Sequence, residues 1–159
     1  MGREIERKFL VDAERWDPGD VRPLTIRQGY LSLDPERVVR IRVADDKAFV
    51  TIKGLTHGIE RSEFEYGIPA ADADRMLDQL CLKPLIVKRR YRVRYGGKLW
   101  EVDVFDDANA GLLVAEVELR AADEAVERPP WLGNEVSDDP RYYNANLVTN
   151  PFGSWAAGR

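Results

Sequence analysis

The chain is nearly free of cysteine and histidine. Cys81 is the only cysteine and His57 the only histidine among its 159 residues. One cysteine excludes an internal disulfide, and the scarcity of both residue types argues against a zinc site or a cysteine–histidine nucleophile. We expect Cys81 to pack in the core and His57 to be exposed in the loop over 54–58.

The sequence also lacks the features of membrane, secreted and nucleic-acid-coating proteins. No apolar run approaches the length that spans a bilayer, and the N-terminus is charged from Arg3 onward, unlike a signal peptide. The net charge of −4 does not favour a general nucleic-acid coat, which would be basic. A GxxxxGK[ST] phosphate loop is absent. We expect a cytoplasmic protein without membrane or nucleic-acid partners.

Alternation of charged and apolar residues is the main pattern that is present. In EIERKFLV, alternate residues Glu4, Glu6 and Lys8 share one face of a strand, while Ile5 and Phe9 lie on the other. Similar alternation, divided by turn signals, predicts eight strands at about 3–11, 24–33, 37–44, 47–53, 60–68, 85–95, 98–105 and 112–120. Hairpin connections predict a mainly β (α+β) domain over 1–150, an antiparallel closed eight-stranded barrel.

Two helices are predicted to pack outside this barrel. The first follows Pro69, a residue favoured in the first helical turn. Its apolar residues at helical spacing are Ala73, Met76, Leu77 and Leu80. The second is expected over 140–148, capped by Asp138 or Asp139. Residues 151–159 are expected to form a flexible tail.

The charged faces of the strands could point either to solvent or into the barrel. If they pointed outward, bulky residues such as Trp100 and Phe64 would have to fill a small barrel. The first helix also needs an apolar outer surface to cover. We therefore favour charge inside, in a wet cavity, because moving one ion into a dry medium costs on the order of 20 kcal/mol.

A cavity with charge of both signs indicates a ligand with charge of both signs. Guanidinium groups match phosphate oxygens, and carboxylates are the ligands that Mg²⁺ and Mn²⁺ prefer. The combination predicts a metal–polyphosphate site. A second interpretation concerns the segment KRRYRVRY, whose basic and aromatic residues would suit a single nucleic-acid strand. The acidic remainder of the chain makes it the weaker of the two.

A series of short motifs resembles the CYTH superfamily, also called the triphosphate tunnel metalloenzymes. EIERKFLV carries the E-x-E-x-K signature, and the further motifs are QGYLS, VRIR, TIKG, EFEY, VKRRY, WEVDVF, AEVEL and DPRYYNANL. In this order they cover nearly the whole chain, which looks most like the short bacterial members, often inorganic triphosphatases. The resemblance implies an eight-stranded antiparallel tunnel in which a helix over 142–147 closes one mouth.

The resemblance also implies roles for individual residues. The metal-facing carboxylates would be Glu4, Glu6, Glu116 and Glu118. The triphosphate-binding cations would be Arg40, Arg42, Lys53, Lys88 and Arg90. Lys8 and Lys88 would form a catalytic pair, in which repulsion between like charges lowers one pKa and makes that lysine a general base. Further tunnel positions would be Tyr30, Glu63, Glu65, Glu101 and Asp103.

The implied function is hydrolysis of a triphosphate, foremost inorganic tripolyphosphate, to pyrophosphate and phosphate, with Mg²⁺ or Mn²⁺ as cofactor. The alternatives are a class IV-type adenylyl cyclase, a thiamine or nucleoside triphosphatase, and a polyphosphate sensor without activity. A sensor would need only the cations, so the many carboxylates favour an enzyme. A closed barrel leaves apolar outer surface available for pairing, which keeps a homodimer open.

Overall fold

Nine antiparallel strands and two short α-helices make up the computed structural model, which describes residues 2–155. The strands are β1 (Gly2–Val11), β2 (Leu24–Ser32), β3 (Val38–Ala44), β4 (Lys47–Lys53), β5 (Glu60–Ile68), β6 (Ile86–Tyr95), β7 (Lys98–Phe105), β8 (Leu113–Glu118) and β9 (Leu132–Glu135). The helices are α1 (Ala70–Gln79) and α2 (Asn144–Thr149). Among residues 2–155, neither helix is long and apolar enough to cross a bilayer.

The first eight strands close into a barrel, which confirms the predicted fold class. Neighbouring strands follow the order β5-β4-β3-β2-β6-β7-β8-β1, and β1 also pairs with β5. Residues 2–5 of β1 pair with β5, whereas residues 6–10 pair with β8. The short strand β9 pairs with the end of β1 outside the barrel. It was not predicted, because its sequence LGNE has no apolar alternation.

Bulky apolar side chains pack on the outside of the barrel, as the charge-inside arrangement requires. Trp100 and Phe9 are completely buried there under the segments that carry Trp16 and Trp131. The Trp131 ring meets Trp16 edge-on at 5.1 Å and Trp100 at 5.9 Å between centroids. On another outer face, α1 covers β3, and Cys81 is buried in that cluster, as expected.

The prediction of one continuous helix over 140–148 was wrong. A 3₁₀ turn covers Pro140–Tyr142, Tyr143 is extended (φ −71, ψ 131), and α2 begins only at Asn144. Asp139 caps the turn, since its carboxylate accepts a 3.1 Å hydrogen bond from the Arg141 amide. The Tyr143 hydroxyl donates to the Ser137 carbonyl at 3.0 Å.

One end of the barrel is filled by apolar side chains. Ile86, Phe105 and Val114 each lie two residues from a charged inward residue of the same strand, so they share its face. They pack against Leu147 of α2 and against Tyr142. This apolar plug, together with α2, separates the charged part of the barrel from solvent at that end. Sequence alternation alone did not show it.

The chain after α2 packs back on this plug. Residues Phe152–Ser154 form a 3₁₀ turn, and the Trp155 ring meets Tyr142 edge-on at 5.2 Å between centroids. Residues 156–159 lie outside the described range. Flexibility of the segment 151–159 therefore stays a prediction.

Candidate active site

A cavity of about 570 Å³ lies inside the barrel, and charged strand residues form much of its wall. Its cationic lining residues are Lys8, Arg40, Arg42, Lys53, Arg61, Lys88 and Arg90. Its acidic lining residues are Glu4, Glu6, Glu101, Glu116 and Asp138. Side chains of both charge signs therefore face one cavity, as the strand alternation predicts.

Asp103 on β7 anchors two cations of β6. Its carboxylate accepts hydrogen bonds from Arg90 Nε at 2.7 Å and Nη2 at 2.9 Å, and from Lys88 Nζ at 2.7 Å. Burial alone would raise the pKa of Asp103, but Arg90 and Lys88 outweigh it and lower this pKa to about 2. Asp103 is thus a fixed anion that orients both cations.

The two lysines of the predicted catalytic pair have opposite environments. Burial lowers the pKa of Lys88 to about 7, and the neighbouring Arg90 and Arg42 add to this effect against the attraction of Asp103. Burial also acts on Lys8, but Glu116, whose Oε2 lies 3.5 Å from Lys8 Nζ, raises the pKa of this lysine. The repulsion on Lys88 therefore comes from arginines rather than from Lys8.

Three carboxylates gather where β1 and β8 meet the cavity. Burial, with Glu116 and Glu4 nearby, raises the pKa of Glu6 well above its ordinary value, and Glu6 shares a hydrogen bond with Glu116. Burial also opposes ionisation of Glu116, but Lys8 holds the pKa of Glu116 well below its ordinary value. Glu4 accepts from Lys53 Nζ at 3.0 Å, and this partner outweighs burial and lowers the pKa of Glu4.

This donor set fits a hard divalent cation, because crowded oxygen ligands share a proton that such a cation could replace. Within residues 2–155, however, no three acidic, histidine or cysteine side chains already form a metal-ligand cluster. A preformed cluster is not required, because Mg²⁺ is commonly held by one or two carboxylates together with substrate phosphates and water.

The two arginines of β3 keep donors for an anion. Arg40 Nη2 donates to Thr51 Oγ1 at 3.2 Å and to Glu65 at 3.4 Å, but its buried Nε has no partner among the described residues. Arg42 Nε donates to Gln28 Oε1 at 2.8 Å. Burial, together with Arg40 and Arg90, lowers the pKa of Arg42 to about 9. An anion in the cavity would satisfy these arginines.

The structure does not bring every predicted site residue to the cavity. Glu118 lies opposite Glu6 in the register of β1 and β8, but its side chain is exposed and does not line the cavity. Two further predicted residues, Glu63 and Glu65, also lie outside the lining. The Glu63 carboxylate is 3.4 Å from Lys53 Nζ.

Two other predicted tunnel residues, Tyr30 and Glu101, do line the cavity. Glu101 pairs with Arg90 at 3.3 Å.

Sequence reasoning missed several residues of this site, among them Asp138, which it named only as a possible helix cap. Arg61 lines the cavity and continues the alternation of β5, two residues before Glu63, so its signal was present in RSEFEY. Gln28 and Asn144 are uncharged and carried no such signal. Asn144 Oδ1 accepts from Lys88 Nζ at 3.0 Å and from Gln28 Nε2 at 3.3 Å.

Comparisons with known proteins agree with this geometry. Residues 2–143 match the family described as the CYTH domain. An inorganic triphosphatase of Acetivibrio thermocellus is 45% identical over 152 residues, which cover 96% of this chain and 97% of that protein. One from Nitrosomonas europaea is 35% identical over 154 residues, covering 91% and 96%. The solved crystal structure of an inorganic triphosphatase has a TM-score of 0.66 at 33% identity and covers 91% and 97%.

Proposed function

The chain belongs to the CYTH domain family, and on that basis we propose that its cavity hydrolyses triphosphates, with inorganic tripolyphosphate as the preferred substrate. The observation that carries the proposal is one cavity lined by several cations and by a crowded set of carboxylates. The relatives named inorganic triphosphatase support the choice of substrate.

The cations bind the substrate in this proposal. Arg40, Arg42, Lys53 and Arg90 come from three strands and line the same cavity. Their charges neutralise the non-bridging oxygens of the triphosphate, which is the main task in phosphoryl transfer. Asp103 keeps Arg90 in place, and Glu4 does the same for Lys53.

The carboxylates Glu4, Glu6 and Glu116 would hold Mg²⁺ or Mn²⁺ in this proposal. When bound, the metal ion neutralises phosphate charge and lowers the pKa of a coordinated water. The pKa of Glu6 is raised, so Glu6 must lose its proton before its carboxylate can act as a ligand. We leave Glu118 out of this set, because its side chain is exposed and does not line the cavity.

The two lysines have different roles in the proposed reaction. Water attacks the terminal phosphorus, the bridging P–O bond breaks, and pyrophosphate and phosphate are released. Lys88, with a pKa of about 7, takes the proton of the water, because it can lose its own proton near neutral pH. Lys8 stays protonated beside Glu116 and adds positive charge at the site.

A panel of substrates tests this function. The purified protein is incubated with tripolyphosphate, ATP or thiamine triphosphate, with Mg²⁺, Mn²⁺ or a chelator, and phosphate and cyclic AMP are measured. We expect phosphate release that depends on metal and is fastest with tripolyphosphate. Cyclic AMP from ATP would instead identify a cyclase. Binding of tripolyphosphate without turnover would identify a sensor.

We also propose that the protein acts in the cytoplasm on a small molecule rather than on nucleic acid. The single cysteine fits a reducing compartment. The net charge of −4 disfavours binding to a polyanionic strand outside the cavity. A gel-shift assay with single-stranded RNA and DNA should show no complex at physiological salt.

A further inference from the structure

Two amide side chains connect α2 to the cations of the cavity. Gln28 on β2 is completely buried, and its Oε1 accepts the 2.8 Å hydrogen bond from Arg42 Nε. Its Nε2 lies 3.1 Å from Tyr30 Oη and 3.3 Å from Asn144 Oδ1. The same Asn144 oxygen accepts from Lys88 Nζ at 3.0 Å. We refer to Gln28 and Asn144 as the amide relay.

We propose that the amide relay positions Arg42 and Lys88 for the hydrolysis proposed above, on which this inference rests. The relay residues do not carry out chemistry themselves. They are positioning residues, which act on the substrate through the cations that they hold.

At the Lys88 end, the relay fixes the direction of the ammonium group. An ammonium has three N–H groups, and Asp103 and Asn144 accept two of them, at 2.7 Å and 3.0 Å. The third position, whether it carries a proton or a lone pair, is then determined by the tetrahedral nitrogen. It is the position left for the cavity that Lys88 lines. Without Asn144, the ammonium could rotate about its bond to Asp103.

At the Arg42 end, the relay fixes the plane of the guanidinium group. Gln28 Oε1 takes the Nε–H, which leaves the two terminal nitrogens of Arg42 for an anion. The Gln28 amide cannot turn over without losing its donor contacts to Tyr30 and Asn144. One asparagine therefore influences the orientation of cations on both β3 and β6.

The position of Asn144 in α2 argues against a merely structural role. Asn144 is the first residue of α2, and the preceding Tyr143 is the N-cap and makes no side-chain capping bond. The Asn144 carboxamide therefore does not cap the helix. It lines the cavity, whereas Asn150 at the other end of α2 is exposed and does not.

Steady-state kinetics with tripolyphosphate test the relay. We expect Asn144→Ala to lower kcat about tenfold, because hydrogen bonds to charged groups are lost, while KM changes less than twofold. Asn144→Asp keeps the acceptor oxygen but adds a negative charge beside Lys88, so it should restore kcat only at higher pH, where Lys88 again loses its proton. The control Asn150→Ala changes the same residue type at the C-cap of the same helix and should match the wild type. A loosened α2 without a relay would instead raise KM and leave kcat unchanged.

A second variant tests whether the two amides act together. Gln28→Met combined with Asn144→Ala should lower kcat by less than the product of the two single losses, since each amide also holds the other in place. Losses in kcat that multiply would overturn the relay, and so would wild-type kcat in Asn144→Ala.

A readout without turnover separates the relay from the proposed function. The side-chain amide signals of Gln28 in a nitrogen-15 NMR spectrum should shift in Asn144→Ala and stay in place in Asn150→Ala. Unchanged Gln28 signals in both would overturn the relay. If wild-type protein hydrolyses no triphosphate, the proposed function fails, and these signals still decide whether the relay exists.

Discussion

Lys88 and Asp103 form an ion pair of 2.7 Å whose side chains are 0% and 1% exposed. Arg90 shares the same carboxylate at 2.7 Å. One buried anion on β7 thus balances two cations of β6 at the wall of the cavity. The ionised Asp103 carboxylate thus stabilises the Arg90 guanidinium and the protonated form of Lys88 in the barrel.

Asp103→Asn should strongly destabilise the fold. The substitution keeps the shape but leaves two buried cations without their anion, which costs about 3–5 kcal/mol in comparable cases. The matched control is Asp106→Asn, whose partner Arg89 is 43% exposed, so its loss should cost less than about 1 kcal/mol. Urea unfolding followed by circular dichroism measures both. Equal losses for the two variants would contradict the role of Asp103.

The stability of the protein should depend on pH through Lys88. Its pKa is lowered from 10.5 to about 7 in the fold, so between these values the unfolded chain holds a proton that the native protein has released. Native stability therefore rises with pH in this window. Relative to Lys88→Met, the wild-type free energy of unfolding should rise by up to about 1.4 kcal/mol per pH unit from pH 7 to 10.

Urea titrations at several pH values measure this difference, and removal of the exposed Lys47 (Lys47→Met) serves as the control. The control should follow the wild-type pH profile. A constant difference between the wild type and Lys88→Met from pH 6 to 10 would show that the fold does not release the Lys88 proton.

Glu116 and Glu118 should differ in their importance for metal-dependent turnover. Glu116 lines the cavity beside Glu6, whereas Glu118 two residues later is exposed and does not line it. We expect Glu116→Gln to reduce metal-dependent phosphate release at least about a hundredfold, the size of loss typical of an altered metal site. Glu118→Gln should retain at least half of wild-type activity. An inactive Glu118→Gln would place Glu118 among the metal ligands.

Gly29 should be required for the packing of the connection after α1. A Cβ atom at Gly29 would lie 2.7 Å from Cys81 Cβ and 2.8 Å from Leu85 Cδ2, both closer than van der Waals contact. Gly29→Ala should destabilise the fold by about 1–3 kcal/mol, as overpacking does in other cores. The control Gly67→Ala meets only the Ala48 carbonyl oxygen at 4.0 Å. A smaller loss for Gly29→Ala than for Gly67→Ala, in thermal unfolding, would contradict this packing.

Much of the fold and part of the site could be predicted because strand periodicity is local. Glu4, Glu6 and Lys8 share a face in any extended chain. The same rule grouped Arg40 with Arg42, and the structure brings all five residues to one cavity. The rule has no information on where a strand leaves the barrel interior. For this reason Glu118 was grouped with Glu116, although only Glu116 lines the cavity.

Other parts of the site depend on partners that are distant in sequence. Lys88 receives Asn144 from α2, 56 positions further along the chain. The prediction of one helix over 140–148 gave no reason to direct this amide toward a lysine. Gln28 carries no charge, so the alternation that revealed its neighbours on the strand did not mark it.

The sequence by itself determined that charged and apolar residues occupy opposite faces of eight strands, since side-chain direction along a strand is fixed by backbone geometry. Only the tertiary structure decided what each charge does. Lys8 and Lys88 occupy equivalent positions in the pattern, yet the pKa of Lys8 is raised and that of Lys88 is lowered to about 7. The reason is that burial and neighbouring charges set a pKa, and closure of the barrel supplies both.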